Sequence, residues 1–181
     1  MKVILIPGNG GGTPQDNWFP WLENALSELG IEVLNKQFPD PELARKEYWL
    51  PFINGLGADV NTILIGHSSG AVAAMRYAET EKILGSILVG ACYTDLGYDS
   101  EKQSGYYDAP WDWNAIRNNQ QWIMQFASTD DPFIPIEEPR FIHDHLNTDY
   151  HEYTDYGHFR SEDKQILGFP ELLEALKEKL V

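Results

Sequence analysis

The chain has 181 residues, 43% of them apolar and 13% aromatic, with a formal net charge of −15. This is enough apolar side chain for one domain over 1–181 with a true core, and too much for a disordered chain. The charge excludes nucleic acid and anionic membrane as expected partners, since both require clustered cations.

The first apolar run, residues 3–6, reads as a strand and stops at Pro7. It is too short for a signal peptide or a membrane span, so a cytoplasmic location is expected. Pro7-Gly8-Asn9-Gly10-Gly11-Gly12 follows. Neither a Gly-Lys-Ser/Thr nor a Gly-x-Gly-x-x-Gly register is present, which argues against a phosphate cradle and for an oxyanion loop. Trp18, Trp21, Leu22, Ala25, Leu26 and Leu29 then recur at helical spacing, closed by Gly30. A second strand is predicted over 31–34. Asp40 and Pro41 read as the N-cap and first-turn proline of a helix running to about 48.

The third strand, 62–65, leads into Gly66-His67-Ser68-Ser69-Gly70 and at once into an Ala-rich helical pattern over 69–80. Strand, sharp turn and helix form the context in which a serine is lifted out as a nucleophile. A β-carbon at either flanking glycine would collide with the neighbouring strand or helix. A fourth strand, 86–89, precedes Cys92. As the single cysteine it leaves no internal disulfide, fits a reducing compartment, and reads as a buried residue at a strand end. From 92 to about 114 there is no clear period, although Tyr93, Tyr98, Tyr106, Tyr107, Trp111 and Trp113 all fall there. Such a stretch either overhangs a site or pins itself to the domain by its aromatics; the first is favoured here.

Strands over 122–126 and 150–153, a helix over 137–146, and a C-terminal helix from Pro170 with the stripe Leu172, Leu173, Leu176 and Leu180 complete the pattern. Strands alternating with helices give a doubly wound α/β sheet. With the second strand outside the first, the order is 2-1-3-4-5-6, and Asn9 and Ser68 meet at the switch point.

A serine hydroxyl needs a base in contact and a group orienting that base. Of five histidines, His67 should project away from Ser68, His143 and His145 fall on a solvated helix face, and His151 lies inside a strand. His158 follows the last strand, where open α/β sheets meet their ligands, and is the expected base. The acid belongs after the penultimate strand, where Asp130 and Asp131 are adjacent. Asp131 fits the spacing Asp-x-x-Ile-Pro, leaving Asp130 to cap the loop or take a backbone amide. The Asn9 and Ser69 amides are the expected oxyanion donors. Trp18, Trp111, Phe133 and Phe159 are candidates to line a pocket for an apolar or aromatic group of a small-molecule substrate. A metal site from His143, Asp144, His145 and His151 is disfavoured, because His-x-His on a helix points its rings about 200° apart. No cofactor is expected.

The glycine loop, Trp49-Leu50-Pro51-Phe52, Gly66-His67-Ser68-Ser69-Gly70-Ala71, Ser128-Thr129-Asp130-Asp131-Pro132-Phe133 and Gly157-His158-Phe159 stand in one order along nearly the whole chain. In this set the sequence closely resembles the retinoblastoma-binding-protein-type serine hydrolases. The resemblance implies a minimal α/β-hydrolase fold without that fold's usual first two strands, with Ser68, Asp131 and His158 as its triad. The family takes its name from a Leu-x-Cys-x-Glu motif that binds a pocket protein. Here Cys92 has Gly90 before it and Thr94 after it at those spacings, so no retinoblastoma-type partner is expected. A second reading, a hydrolase-fold interaction protein whose triad is incidental, is disfavoured by the joint presence of triad and glycine loop.

Overall fold

The computed structural model describes residues 1–164 and 167–180. In chain order the elements are β1 (Lys2–Ile6), α1 (Phe19–Glu28), β2 (Glu32–Asn35), α2 (Lys46–Gly55), β3 (Thr62–His67), α3 (Ser69–Ala78) and β4 (Gly85–Val89). Then come α4 (Asp99–Ser104), α5 (Trp113–Asn118), β5 (Trp122–Ser128), α6 (Glu137–Leu146), β6 (Asp149–Tyr153), α7 (Ser161–Lys164) and α8 (Pro170–Lys179). The six strands form one parallel sheet in the order β2-β1-β3-β4-β5-β6.

The apolar strands bury both faces. Ile4, Ile6, Leu64 and Leu88 point into a layer with Trp49, Ile53, Ile142 and the small residues of α3. Their neighbours Val3, Leu5, Ile63, Ile65, Ile87 and Val89 point the other way, onto Trp18, Phe19, Leu22 and Leu26 on one helical side and Phe169, Leu172 and Leu176 on the other. Alternate residues on a pleated strand face opposite sides, so two apolar layers need continuously apolar strands. Each large side chain buried in these layers contributes roughly 1.5–3 kcal/mol.

The site is placed by the central pair. Ile6 lies beside Gly66 at the carboxyl ends of β1 and β3, and the loops that leave them start side by side. From there α3 passes over the sheet at backbone contact. A Cβ at Gly70 would sit 2.2 Å from the Ile6 carbonyl oxygen, and one at Gly66 would sit 2.3 Å from the Gly70 backbone. Real Cβ atoms do not approach so closely, so both glycines of Gly-x-Ser-x-Gly are required by space.

Two expectations change. The helix predicted from Asp40 is a turn: Asp40 has φ +48 and Ala44 has φ +52, neither helical. The Asp40 carboxylate instead receives the Arg45 guanidinium at 2.7 and 3.1 Å, and α2 starts only at Lys46. It runs through Pro51, which leaves the Glu47 carbonyl without an in-helix donor; Glu47 is exposed, so water can serve it. The stretch after Cys92 is also more ordered than its sequence suggests. It carries α4 and begins α5, whose cap Asp112 accepts from the Ala115 N–H at 2.9 Å.

Arg76 explains how that stretch is held. Its guanidinium, buried on α3, donates to the carbonyls of Tyr106 and Ala109 at 2.7 Å each and lies 3.6 Å over the Trp111 ring. Tyr106 is fully buried. The aromatics of the second half of the excursion therefore pin it to the body, and only its first half reaches the cavity at the carboxyl ends of β1 and β3.

Candidate active site

A cavity of about 630 Å³ opens at the carboxyl ends of β1 and β3, a size suited to a small organic ligand. Asn9, Ser68, Ser69, His158 and Phe133 line it, together with Leu96, Tyr98, Ser100 and Glu101 from the excursion. Ser68 stands between β3 and α3 at φ +55, ψ −122, a conformation that costs a non-glycine residue on the order of 1–3 kcal/mol. The surrounding backbone enforces it, with the Ser68 N–H donating to the Val89 carbonyl at 2.8 Å and its carbonyl accepting from Ala71 at 2.9 Å. The glycine loop comes close: a Cβ at Gly8 would meet the Ser68 Cβ at 3.3 Å. Neither the Asn9 nor the Ser69 backbone N–H has an acceptor among the described residues.

The His158 Nδ1 lies 2.7 Å from the Asp131 Oδ2, with the side chains only 7% and 3% exposed. An ionised carboxylate only accepts, so Nδ1 carries the hydrogen and a neutral ring keeps its lone pair at Nε2. The other Asp131 oxygen accepts the Phe133 and Ile134 N–H groups at 2.9 and 3.0 Å, which fixes the carboxylate behind the imidazole. Asp130 turns away. It takes the Ser128 hydroxyl at 2.5 Å and the Gly157 N–H at 2.8 Å, tying the loop that carries His158 to the end of β5. The Asp163 carboxylate accepts the His158 N–H at 3.0 Å from the far side.

His67 is buried at the inner lining of the cavity and supports the site through His158. Its Nε2 is 2.7 Å from the His158 carbonyl oxygen, which can only accept, so Nε2 carries the hydrogen. Burial, with the neighbouring His158 imidazole adding to it, holds the His67 ring down to about 3, so it is neutral. Between its unfolded value near 6.5 and about 3, the unfolded chain takes a proton that the folded one refuses, and stability falls as pH falls. Between pH 7 and pH 5, wild type is expected to lose about 2 kcal/mol more than His67→Gln in urea unfolding. Parallel losses would contradict this.

The four pocket candidates separate. Phe133 is 41% exposed, stands edge-on to the His158 ring at 5.2 Å and carries the Arg160 guanidinium 4.7 Å above it. Trp18 and Phe159 are fully buried in the core and do not line the cavity; Trp18 packs edge-on to His67 at 6.3 Å. Trp111 lies away from it, over Arg76. Aromatic residues near a catalytic loop serve the core first, because burying them removes the most apolar surface.

Two residues at the site were missed by sequence reasoning. Gly90, at φ +59 after β4, leaves room for the imidazole, since a Cβ there would meet the His158 Cε1 and Nδ1 at 3.2 and 3.3 Å. Glycine immediately after an apolar strand is its only sequence signal. Glu101 had none, as an acid in an aperiodic stretch reads as solvated. Cys92 is buried, and burial pushes its thiol well above the usual range. On α6, His143 meets the Thr148 hydroxyl at 3.0 Å while His145 stacks on Phe141. Among the described residues no group of three or more His, Cys, Asp or Glu is placed to hold a metal ion, and no helix is long and apolar enough to cross a membrane.

Comparison with known proteins agrees with this architecture. The model of the family described as serine hydrolase matches residues 3–178. The chain is 44% identical to the serine hydrolase RBBP9 of Rattus norvegicus, over 99% of this chain and 95% of the rat protein. The ydeN gene product of Bacillus subtilis shares the fold at a TM-score of 0.88, with 24% identity and 98% of both chains covered. A monoacylglycerol lipase of Paleococcus ferrophilus superposes at a TM-score of 0.70 and 18% identity, over 98% of this chain and 93% of the lipase. With a full-length family match and a six-stranded parallel sheet in the expected order, the chain belongs to the RBBP9-type serine hydrolase family and has the α/β-hydrolase fold.

Proposed function

We propose that the chain cleaves a small carboxylic ester or amide through a covalent acyl-enzyme, with Ser68 as nucleophile, His158 as general base and acid, and Asp131 as the group that orients it. The observation that carries this reading is the buried 2.7 Å contact between His158 Nδ1 and Asp131, on an imidazole that lines the same cavity as the strained Ser68. Ser68 attacks the acyl carbon, and its proton passes to His158 Nε2 and then to the leaving alkoxide or amine. Water repeats the sequence on the acyl-enzyme. The Asn9 and Ser69 N–H groups receive the developing oxyanion, a role worth roughly 3 kcal/mol per donor. Leu96, Tyr98 and Phe133 are among the residues lining the cavity, which favours an apolar or aromatic group on the substrate. The buried, unpaired cysteine fits a cytoplasmic setting.

Mixing the enzyme with a p-nitrophenyl ester of a short acid tests this. The expected trace is a burst of about one nitrophenolate per chain, followed by a slower steady rate as the acyl-enzyme turns over. Hydrolysis that leaves no acyl group on Ser68 when quenched within the burst would refute the covalent route.

A further inference from the structure

Glu101 reaches the cavity from α4 and is 9% exposed. Its Oε1 accepts the Asn9 side-chain amide at 2.6 Å, and its Oε2 accepts the Tyr107 hydroxyl at 3.1 Å. That hydroxyl also lies 3.2 Å from the Cys92 Sγ. Among the described residues no cation pairs with Glu101, so its charge is held by neutral donors alone. Burial raises its carboxyl above the ordinary value, against the pull of Tyr107, Asn9 and Ser69. A buried acid without a cation is costly, and packing alone would be better served by an apolar side chain.

Its bond to Asn9 crosses 92 positions of sequence and lands on the glycine loop. Gly10 and Gly11 take φ +71 and +88, and the loop backbone is tied on its other side by bonds from Gly10 to the Glu42 carbonyl at 3.0 Å and from Gly11 to the Pro41 carbonyl at 3.1 Å. Glycines let a peptide plane rotate at little cost, so the direction of the Asn9 N–H must be set from outside the loop. The base of Glu101 is itself firm. Its carbonyl accepts the Ser104 hydroxyl at 2.6 Å, and nearby Tyr106 is bound through its carbonyl to Arg76 of α3.

We infer that Glu101 is a positioning residue: by gripping the Asn9 side chain it aims the Asn9 backbone N–H at the oxyanion. Ser69 begins α3 directly, and Asn9 is referred to the same helix through Glu101 and the segment that Arg76 anchors. Each carboxylate oxygen already holds a protein donor, Asn9 on one and Tyr107 on the other, and the Asn9 bond is the one that reaches the oxyanion loop. The inference rests on the proposed role of Asn9 as an oxyanion donor.

The test compares Glu101→Ala, Glu101→Gln, Asn9→Ala and the Asn9→Ala/Glu101→Ala pair, each titrated with a phosphonate so that rates refer to reactive Ser68. Either alanine variant should lose about 10- to 100-fold in kcat, with KM within about twofold, a fraction of the cost of deleting a donor outright. The double variant should be no worse than the single ones, because both remove the same tether. Glu101→Gln should recover to within about fivefold of wild type, since its carbonyl oxygen can still accept from Asn9. Asn9→Ala, on a half-buried loop, keeps the test valid if Glu101→Ala does not fold. Wild-type kcat in titrated Asn9→Ala or Glu101→Ala, multiplying losses in the pair, or a change confined to KM would overturn the inference while leaving the Ser68 reading intact. Wild-type protein that does not react with the phosphonate would remove that reading, and the inference with it.

Discussion

Ser68→Ala is expected to fold as wild type and to lose about 10⁵- to 10⁶-fold in kcat on any ester the enzyme turns over. Alanine keeps the Cβ, so the strain at φ +55 and the packing against Gly8 are unchanged. What disappears is the oxygen proposed to form the acyl bond. His158→Ala should cost a similar factor, and the double variant little more, because nucleophile and base act as a unit. Matched circular dichroism and urea midpoints would show that chemistry, not folding, was lost. A Ser68→Ala protein within tenfold of wild type would mean that water is activated without it.

Asp131→Asn is the second large effect, about 10⁴-fold in kcat at neutral pH. The Asp131 carboxylate can only accept from the His158 Nδ1–H. An asparagine there can turn its NH₂ toward the ring, because its own oxygen is drawn to the Phe133 and Ile134 N–H groups that Asp131 Oδ1 now serves. The hydrogen then moves to Nε2, and the lone pair that should face Ser68 is gone. Asp130→Asn should cost under about tenfold, since an asparagine oxygen can still accept from the Ser128 hydroxyl and the Gly157 N–H. The reverse ranking of the two kcat values would move the orienting role to Asp130.

How much of this could be read from the sequence differs by residue. β1, β3 and β4 were legible because strands covered on both faces must be apolar throughout, and Gly66 and Gly70 because only glycine fits where α3 crosses Ile6. The start of α2 was not. Asp40 followed by Pro41 has the composition of a helix cap, but the carboxylate is satisfied by Arg45, five residues on, and the chain turns before it coils. Trp18 and Phe159 could not be told from Phe133 by type, since an aromatic side chain fits a core and a pocket equally well. Burial separates them, and it depends on α1 and α8 closing over one face of the sheet. Glu101 was invisible for a related reason: its partners are at positions 9 and 107, and no local pattern announces an acid whose donors come from another loop.

The most direct measurement is the intact mass of the protein after exposure to a fluorophosphonate, followed by peptide mapping, with Ser68→Ala and His158→Ala alongside. The expected result is one adduct per wild-type chain, on the peptide containing Ser68, and none in either variant. A folded wild-type protein that gains no adduct, or gains it at another residue, would contradict the assignment of Ser68 as an activated nucleophile.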